Sequence, residues 1–139
     1  ARNLHRRTQG KGSERMSPMD IERFNADWLQ AWTDKDVDRL VGFYSADTVY
    51  KDPQVPHGVE GREALKTYLQ TLFSSTPPMT YLPELVWAIQ GGFCGRWYCD
   101  IGEGGKEGKI RGFDLVLIEN SLIKHNEVYV HPLSETTNA

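Results

Sequence analysis

The second half of the chain leaves the least freedom. Tyr81 to Gln90, Phe93 to Gly102, Lys106 to Glu119 and Leu122 to His131 are four runs rich in β-branched and aromatic residues. They are separated only by Gly91-Gly92, the glycine-rich stretch GEGGKEG and Asn120-Ser121. Turns this short join antiparallel neighbours, because a parallel connection needs a crossover of about a dozen residues or more. The runs therefore predict four consecutive antiparallel strands. In the third of them Ile110, Gly112, Asp114, Val116 and Ile118 share one face, which sets a carboxyl in the middle of an apolar row.

Upstream the periodicity is helical. Ser17-Pro18 reads as an N-cap followed by proline at N1. Ile21, Phe24, Trp28 and Trp32 then form one apolar stripe, with Asp27, Gln30 and Asp34 off it. A break at Asp34-Lys35-Asp36 leads to a second short helix with Val37, Leu40, Val41 and Tyr44 on one face, so the two helices pack as a hairpin. Thr48 to Lys51 alternates as a short strand stopped by Asp52-Pro53, and PQVPHGVEG reads as a loop. A third helix follows Gly61, with Leu65, Tyr68, Leu69, Leu72 and Phe73 on its face, and ends at SSTPP. Three N-terminal helices ahead of a mostly antiparallel sheet predict an α+β domain with the helices laid on one sheet face.

The 139 residues suffice for one compact domain, predicted over 16–133, that buries roughly two-thirds of its unfolded surface. The net charge of −3 is unevenly spread. Residues 1–15 carry Arg2, Arg6, Arg7, Lys11 and Arg15 against Glu14, and read as a disordered basic leader or a cloning remnant. Residues 134–139 read as a frayed tail. The acidic body argues against nucleic acid as a partner, since neutralising phosphates needs a basic face. No run of about 18 apolar residues exists and no secretory leader is visible, so a membrane partner is not expected and the location reads as cytoplasmic. Cys94 and Cys99, five residues apart on one strand, face opposite ways and read as reduced packing residues, without metal-ligand spacing. Neither a GxSxG nor a GxxxxGK[ST] string occurs, and His57, His125 and His131 read as surface or interface groups.

The element order, with the strings SADTVYKDP, GREALKTYL and RGFDLVLIENSLIKHNEVYV, resembles the NTF2-like superfamily over about residues 19–132. Within it the chain is most similar to the SnoaL-like polyketide cyclases and the ketosteroid isomerases. The resemblance implies a cone-shaped fold in which a strongly bent sheet wraps the helices around a ligand pocket. It also implies frequent homodimers and acid-base chemistry without a cofactor, on a small apolar or ring-containing carbonyl compound. The alternative is a non-catalytic ligand-binding or dimerisation module on the same fold.

Two aspartates carry the candidate chemistry. Burial on an apolar strand should raise the pKa of Asp114, and the resemblance places it where the isomerases hold a protonated aspartate and the cyclases an acid/base aspartate. The competing reading is a carboxylate satisfied by Arg111, Arg96 or a backbone amide. Asp52 falls where the isomerases place their general base, although Asp before Pro is also ordinary turn chemistry. Trp28 falls where the isomerases use a tyrosine donor, so that part of their site is missing. An epoxide-hydrolase reading fails in turn, because Arg96-Trp97-Tyr98 lacks the Arg-x-Asp pair and Val128 stands where the last aspartate would lie. Asn126, Val128 and Val130 alternate along the last strand at pocket-lining positions, with Gly112 and Val116 beside Asp114. Phe43, Tyr50, Trp87 and Trp97 are candidate walls, each also readable as plain core. Strand 93–102 could face the pocket with Arg96 and Tyr98 or with Trp97 and Cys99.

Overall fold

The computed structural model describes residues 17–133, so the expectations for residues 1–15 and 134–139 lie outside the described residues. Helix α1 spans Pro18–Asp34. Ser17 caps it by accepting the Asp20 N–H at 3.1 Å, and Lys35, at φ 54°, closes it in the left-handed region. Helix α2 covers only Val37–Val41, capped by Asp36. The chain then turns into strand β1, Tyr44–Asp52. Tyr44, expected on the face of the second helix, is thus the first strand residue.

Strand β2 (Val55–Glu60) and helix α3 (Arg62–Ser74) follow, and then the strands β3 (Met79–Ile89), β4 (Gly92–Ile101), β5 (Gly108–Glu119) and β6 (Leu122–Pro132). They form a six-stranded sheet in the order β2-β1-β6-β5-β4-β3. The expected meander is present from β3 to β6, and β1 pairs with β6 in parallel, which makes the sheet mixed. Two expectations are corrected. The stretch read as a loop after Asp52 contains β2, and α3 comes after two strands, so only two helices precede the sheet. The cause is local: Asp52 Oδ1 accepts the N–H groups of Gln54 (2.8 Å) and Val55 (3.1 Å), closing a turn tight enough to pair Asp52 with Val55. Pro56 is tolerated because β2 is an edge strand.

The apolar stripe of α1 packs on the inward sheet face. Ile21, Trp28, Leu29 and Trp32 meet Phe93, Trp97, Cys99, Val116 and Ile123 in one buried cluster, with Leu40, Leu65 and Leu69 joining from α2 and α3. Burial alternates along β4: Phe93, Gly95, Trp97 and Cys99 point inward, while Cys94, Arg96 and Tyr98 point outward. The face of strand 93–102 that meets the helices is therefore the Trp97/Cys99 face, and the two cysteines are free and on opposite sides. Among the described residues no helix is long and apolar enough to cross a membrane.

Candidate functional site

A cavity of about 260 Å³ lies between α1, the C-terminal end of α3 and the inward sheet face. Its walls include the rings of Trp28, Trp32, Tyr50, Phe73, Tyr81 and Trp97 and the carboxyls of Asp52 and Asp114. That volume falls just below the roughly 300–1,000 Å³ of drug-sized ligand sites, so the space suits a small, mostly apolar molecule.

Asp114 is 3 % exposed and takes two hydrogen bonds from opposite sides. Trp97 Nε1 donates to Oδ1 at 2.7 Å and Asn126 Nδ2 donates to Oδ2 at 2.9 Å. Neither Arg96 nor Arg111 reaches it. They lie on the outer face, where Arg96 bonds Glu84 at 2.8 Å and Arg111 bonds His131 at 3.1 Å. Burial pushes the Asp114 carboxyl up from 3.8 to about 7; the Asn126 and Trp97 bonds oppose the rise and the charge of Asp52 adds to it.

The donors behind Asp114 form a one-way chain. Trp28 Nε1–H, which can only donate, points at Tyr44 Oη (3.2 Å). Tyr44 must then send its own proton to Asn126 Oδ1 (2.8 Å), which turns the Asn126 amide N–H toward Asp114. With Trp97 donating to the other oxygen, protein groups occupy one acceptor site on each Asp114 oxygen. Among the described residues no further donor reaches either oxygen, and Asp114 also lines the cavity.

Gly112 makes the Trp97 contact possible. The two residues are cross-strand partners, and a Cβ at 112 would lie 2.0–2.3 Å from three atoms of the Trp97 ring. The indole therefore lies directly over the Gly112 backbone, which brings its N–H to the carboxyl two residues along β5.

Asp52 lines the same cavity, but its four acceptor sites are filled. Oδ1 takes the two turn N–H groups, and Oδ2 takes the hydroxyls of Tyr50 (2.8 Å) and Tyr68 (2.7 Å). Both phenols are pushed above their ordinary pKa, first by burial and further by Asp52, so they keep their protons as donors.

Of the other residues singled out, Trp28, Tyr50, Trp97, Val128 and Val130 line the cavity with Asp52 and Asp114. Five do not. Trp87 is 43 % exposed on the outer sheet face, because it pairs with the outward Cys94. Phe43 lines a separate groove at the opposite end of the strands, beside the Gly91 and Ser121 turns. Gly112 is covered by Trp97, Val116 is fully buried, and Asn126 stands behind Asp114. Trp28 contributes its ring to the wall, while its N–H is spent on Tyr44. Tyr44, Tyr68 and Tyr81 were not among the sequence candidates. The even spacing of Tyr44, Thr48 and Tyr50, all buried on one side of β1, is the signal that would have found the first.

Residues 25–126 match the family model of the SnoaL-like domain. The chain belongs to the SnoaL-like family. No curated protein matches this SnoaL-like chain, whereas many solved structures share its fold. A protein from Kribbella flavida DSM 17836, assigned provisionally to the ketosteroid isomerases, is 10 % identical, with a TM-score of 0.66 over 84 % of this chain and 82 % of that one. An NTF2-like protein of unknown function from Burkholderia xenovorans LB400 is 17 % identical, with a TM-score of 0.65 over 85 % and 88 %. A protein with a ketosteroid isomerase-like fold from Catenulispora acidiphila DSM 44928, solved with trimethylamine, is 16 % identical, with a TM-score of 0.65 over 80 % and 86 %. At these identities the likeness is one of fold: a mixed six-stranded sheet with helices, of the NTF2-like type.

Proposed function

We infer that this SnoaL-like protein is a cofactor-independent acid-base catalyst that moves a proton on a small, largely apolar carbonyl compound. The observation that supports this most is the placement of Asp114, with protein donors behind it and the cavity in front. A carboxyl that ionises at about 7 is divided between its two forms at neutral pH, so one group both takes and returns a proton. Asp52, expected as the base, has no acceptor site left for a substrate proton. In this reading it is a positioning residue that holds Tyr50, Tyr68 and the β1–β2 turn.

The test is hydrogen–deuterium exchange at the carbon beside the carbonyl, followed by proton NMR in D2O with a panel of small cyclic ketones. Asp114→Asn should slow exchange by about 10²-fold or more. Exchange at the parent rate in that variant refutes the assignment. Ketone binding by the parent protein with no exchange favours the alternative of a non-catalytic binding module.

A second copy of the chain is the partner this reading assigns to the outer sheet face. Antiparallel sheets with one covered face ordinarily present polar residues on the other. Here Leu82, Leu85, Trp87, Ile89, Phe113 and Tyr129 are exposed on it. The accompanying pairs Arg96–Glu84 and Lys51–Glu127 carry both signs, as a self-complementary two-fold interface requires.

A further inference from the structure

Two tyrosines line the cavity, and their hydroxyls differ in one respect. The Tyr50 proton is committed to Asp52, whereas the Tyr81 hydroxyl makes no hydrogen bond among the described residues. Only Asn25 Oδ1 and Thr48 Oγ1 are both sealed from solvent and unpaired there, so the Tyr81 hydroxyl borders accessible space. The space its side chain lines is the cavity.

The phenol is held firmly. Tyr81 stands on the inward face of β3 opposite Cys99, and its backbone N–H donates to Thr33 Oγ1 at 2.9 Å, which ties the strand to α1. Its ring meets Trp97 at 5.0 Å between centroids and 66°, and Trp32 at 5.9 Å and 54°. One indole thus touches both groups, packing on the Tyr81 ring while its N–H bonds Asp114 at 2.7 Å. Burial, with smaller contributions from Cys99, Asp114 and Asp52, pushes the phenol above its ordinary pKa, so it retains its proton as a donor. An unspent O–H in a largely apolar wall attracts an acceptor oxygen of a ligand, because few other groups there compete for it.

We propose that Tyr81 is a catalytic residue that binds and polarises the carbonyl oxygen of the ligand, donating its O–H to that oxygen while Asp114 acts on the adjacent carbon. The proposal rests on the reading of Asp114 as the proton carrier and narrows the substrate class to neutral enolisable ketones and esters. The step balances without a co-reactant. The Asp114 carboxylate takes the proton from the carbon beside the carbonyl, the C–H pair becomes the new C=C bond, and the carbonyl π pair moves onto oxygen. The enolate oxygen so formed is held by the Tyr81 O–H. Neutral Asp114 then returns the proton to the same carbon or to a conjugated one, and the electron pair reverts to C=O.

The experiment uses the full chain and 1-indanone labelled with ¹³C at its carbonyl, with two readouts: the chemical shift of the bound carbonyl and the rate of hydrogen–deuterium exchange beside it. The parent protein should move the carbonyl resonance downfield and accelerate exchange. Tyr81→Phe removes a hydroxyl that bonds no described protein group, so its Tm should match the parent. It should abolish the downfield displacement and slow exchange by about 10²–10³-fold, the usual effect of losing one oxyanion donor. Asp114→Asn should keep the displacement and lose exchange. Retention of both the displacement and the parent exchange rate in Tyr81→Phe overturns the proposal. Parent-rate exchange in Asp114→Asn, with the displacement lost only in Tyr81→Phe, refutes the role of Asp114 and leaves Tyr81 as the oxygen-binding group. A parent protein that does not bind 1-indanone contradicts both.

Discussion

A hydrogen atom at position 112 decides how Asp114 is held. Replacing Gly112 with Ala sets a methyl inside the Trp97 ring, so the indole must move and its N–H leaves the carboxyl. Because that bond holds the Asp114 pKa down, Gly112→Ala should raise it further above about 7, as ¹³C NMR of the carboxyl would show. Tyr44→Phe acts one step deeper. It leaves the Trp28 N–H and Asn126 Oδ1 unpaired in the interior and should cost about 1–3 kcal/mol, measured by chemical denaturation. The inward placement of Asp114 was legible in the sequence, since strand period two puts it among Ile110, Val116 and Ile118. The chain behind it was not. Its links join Trp28 to Tyr44 and Tyr44 to Asn126 across three elements, and no local pattern encodes the register that aligns them.

The β1–β2 turn depends on one side chain. Asp52 joins two backbone N–H groups to two phenols, and Tyr50 is buried beneath it. Asp52→Ala should therefore destabilise the protein by at least about 1–3 kcal/mol, since the Tyr50 hydroxyl loses its acceptor away from water. Thermal unfolding checks this, and no loss of stability would show that water replaces the carboxylate. Asp52-Pro53 reads as a strand stop and the stretch holding Pro56 as a loop, because proline removes a ladder donor. At a sheet edge only one side of the strand needs donors, and the sequence alone does not say which strand lies at the edge. The meander from β3 to β6 was legible for the opposite reason, since its glycine-rich and Asn-Ser turns admit only adjacent antiparallel strands.

For the whole molecule, the apolar outer face sets the expected association. Phe113→Glu and Trp87→Glu, both exposed and in contact with each other across β4, should convert a dimer into monomers in sedimentation experiments without loss of fold. A parent chain that sediments as a monomer excludes this interface. The raised pKa of Asp114 also links folding to pH. The folded state binds its proton more tightly than the unfolded chain does, so this contribution is fully present below about pH 4 and is lost as pH rises through about 7. A rise from 3.8 to about 7 corresponds to roughly 4 kcal/mol, an order of magnitude that Asp114→Asn should remove from the pH profile of stability. The most direct test is a pH titration of the Asp114 side-chain carboxyl by ¹³C NMR in the folded protein. A midpoint near 7 is predicted; a midpoint near 4, the ordinary carboxylate value, would show that the group is an ionised structural acceptor and not a proton carrier.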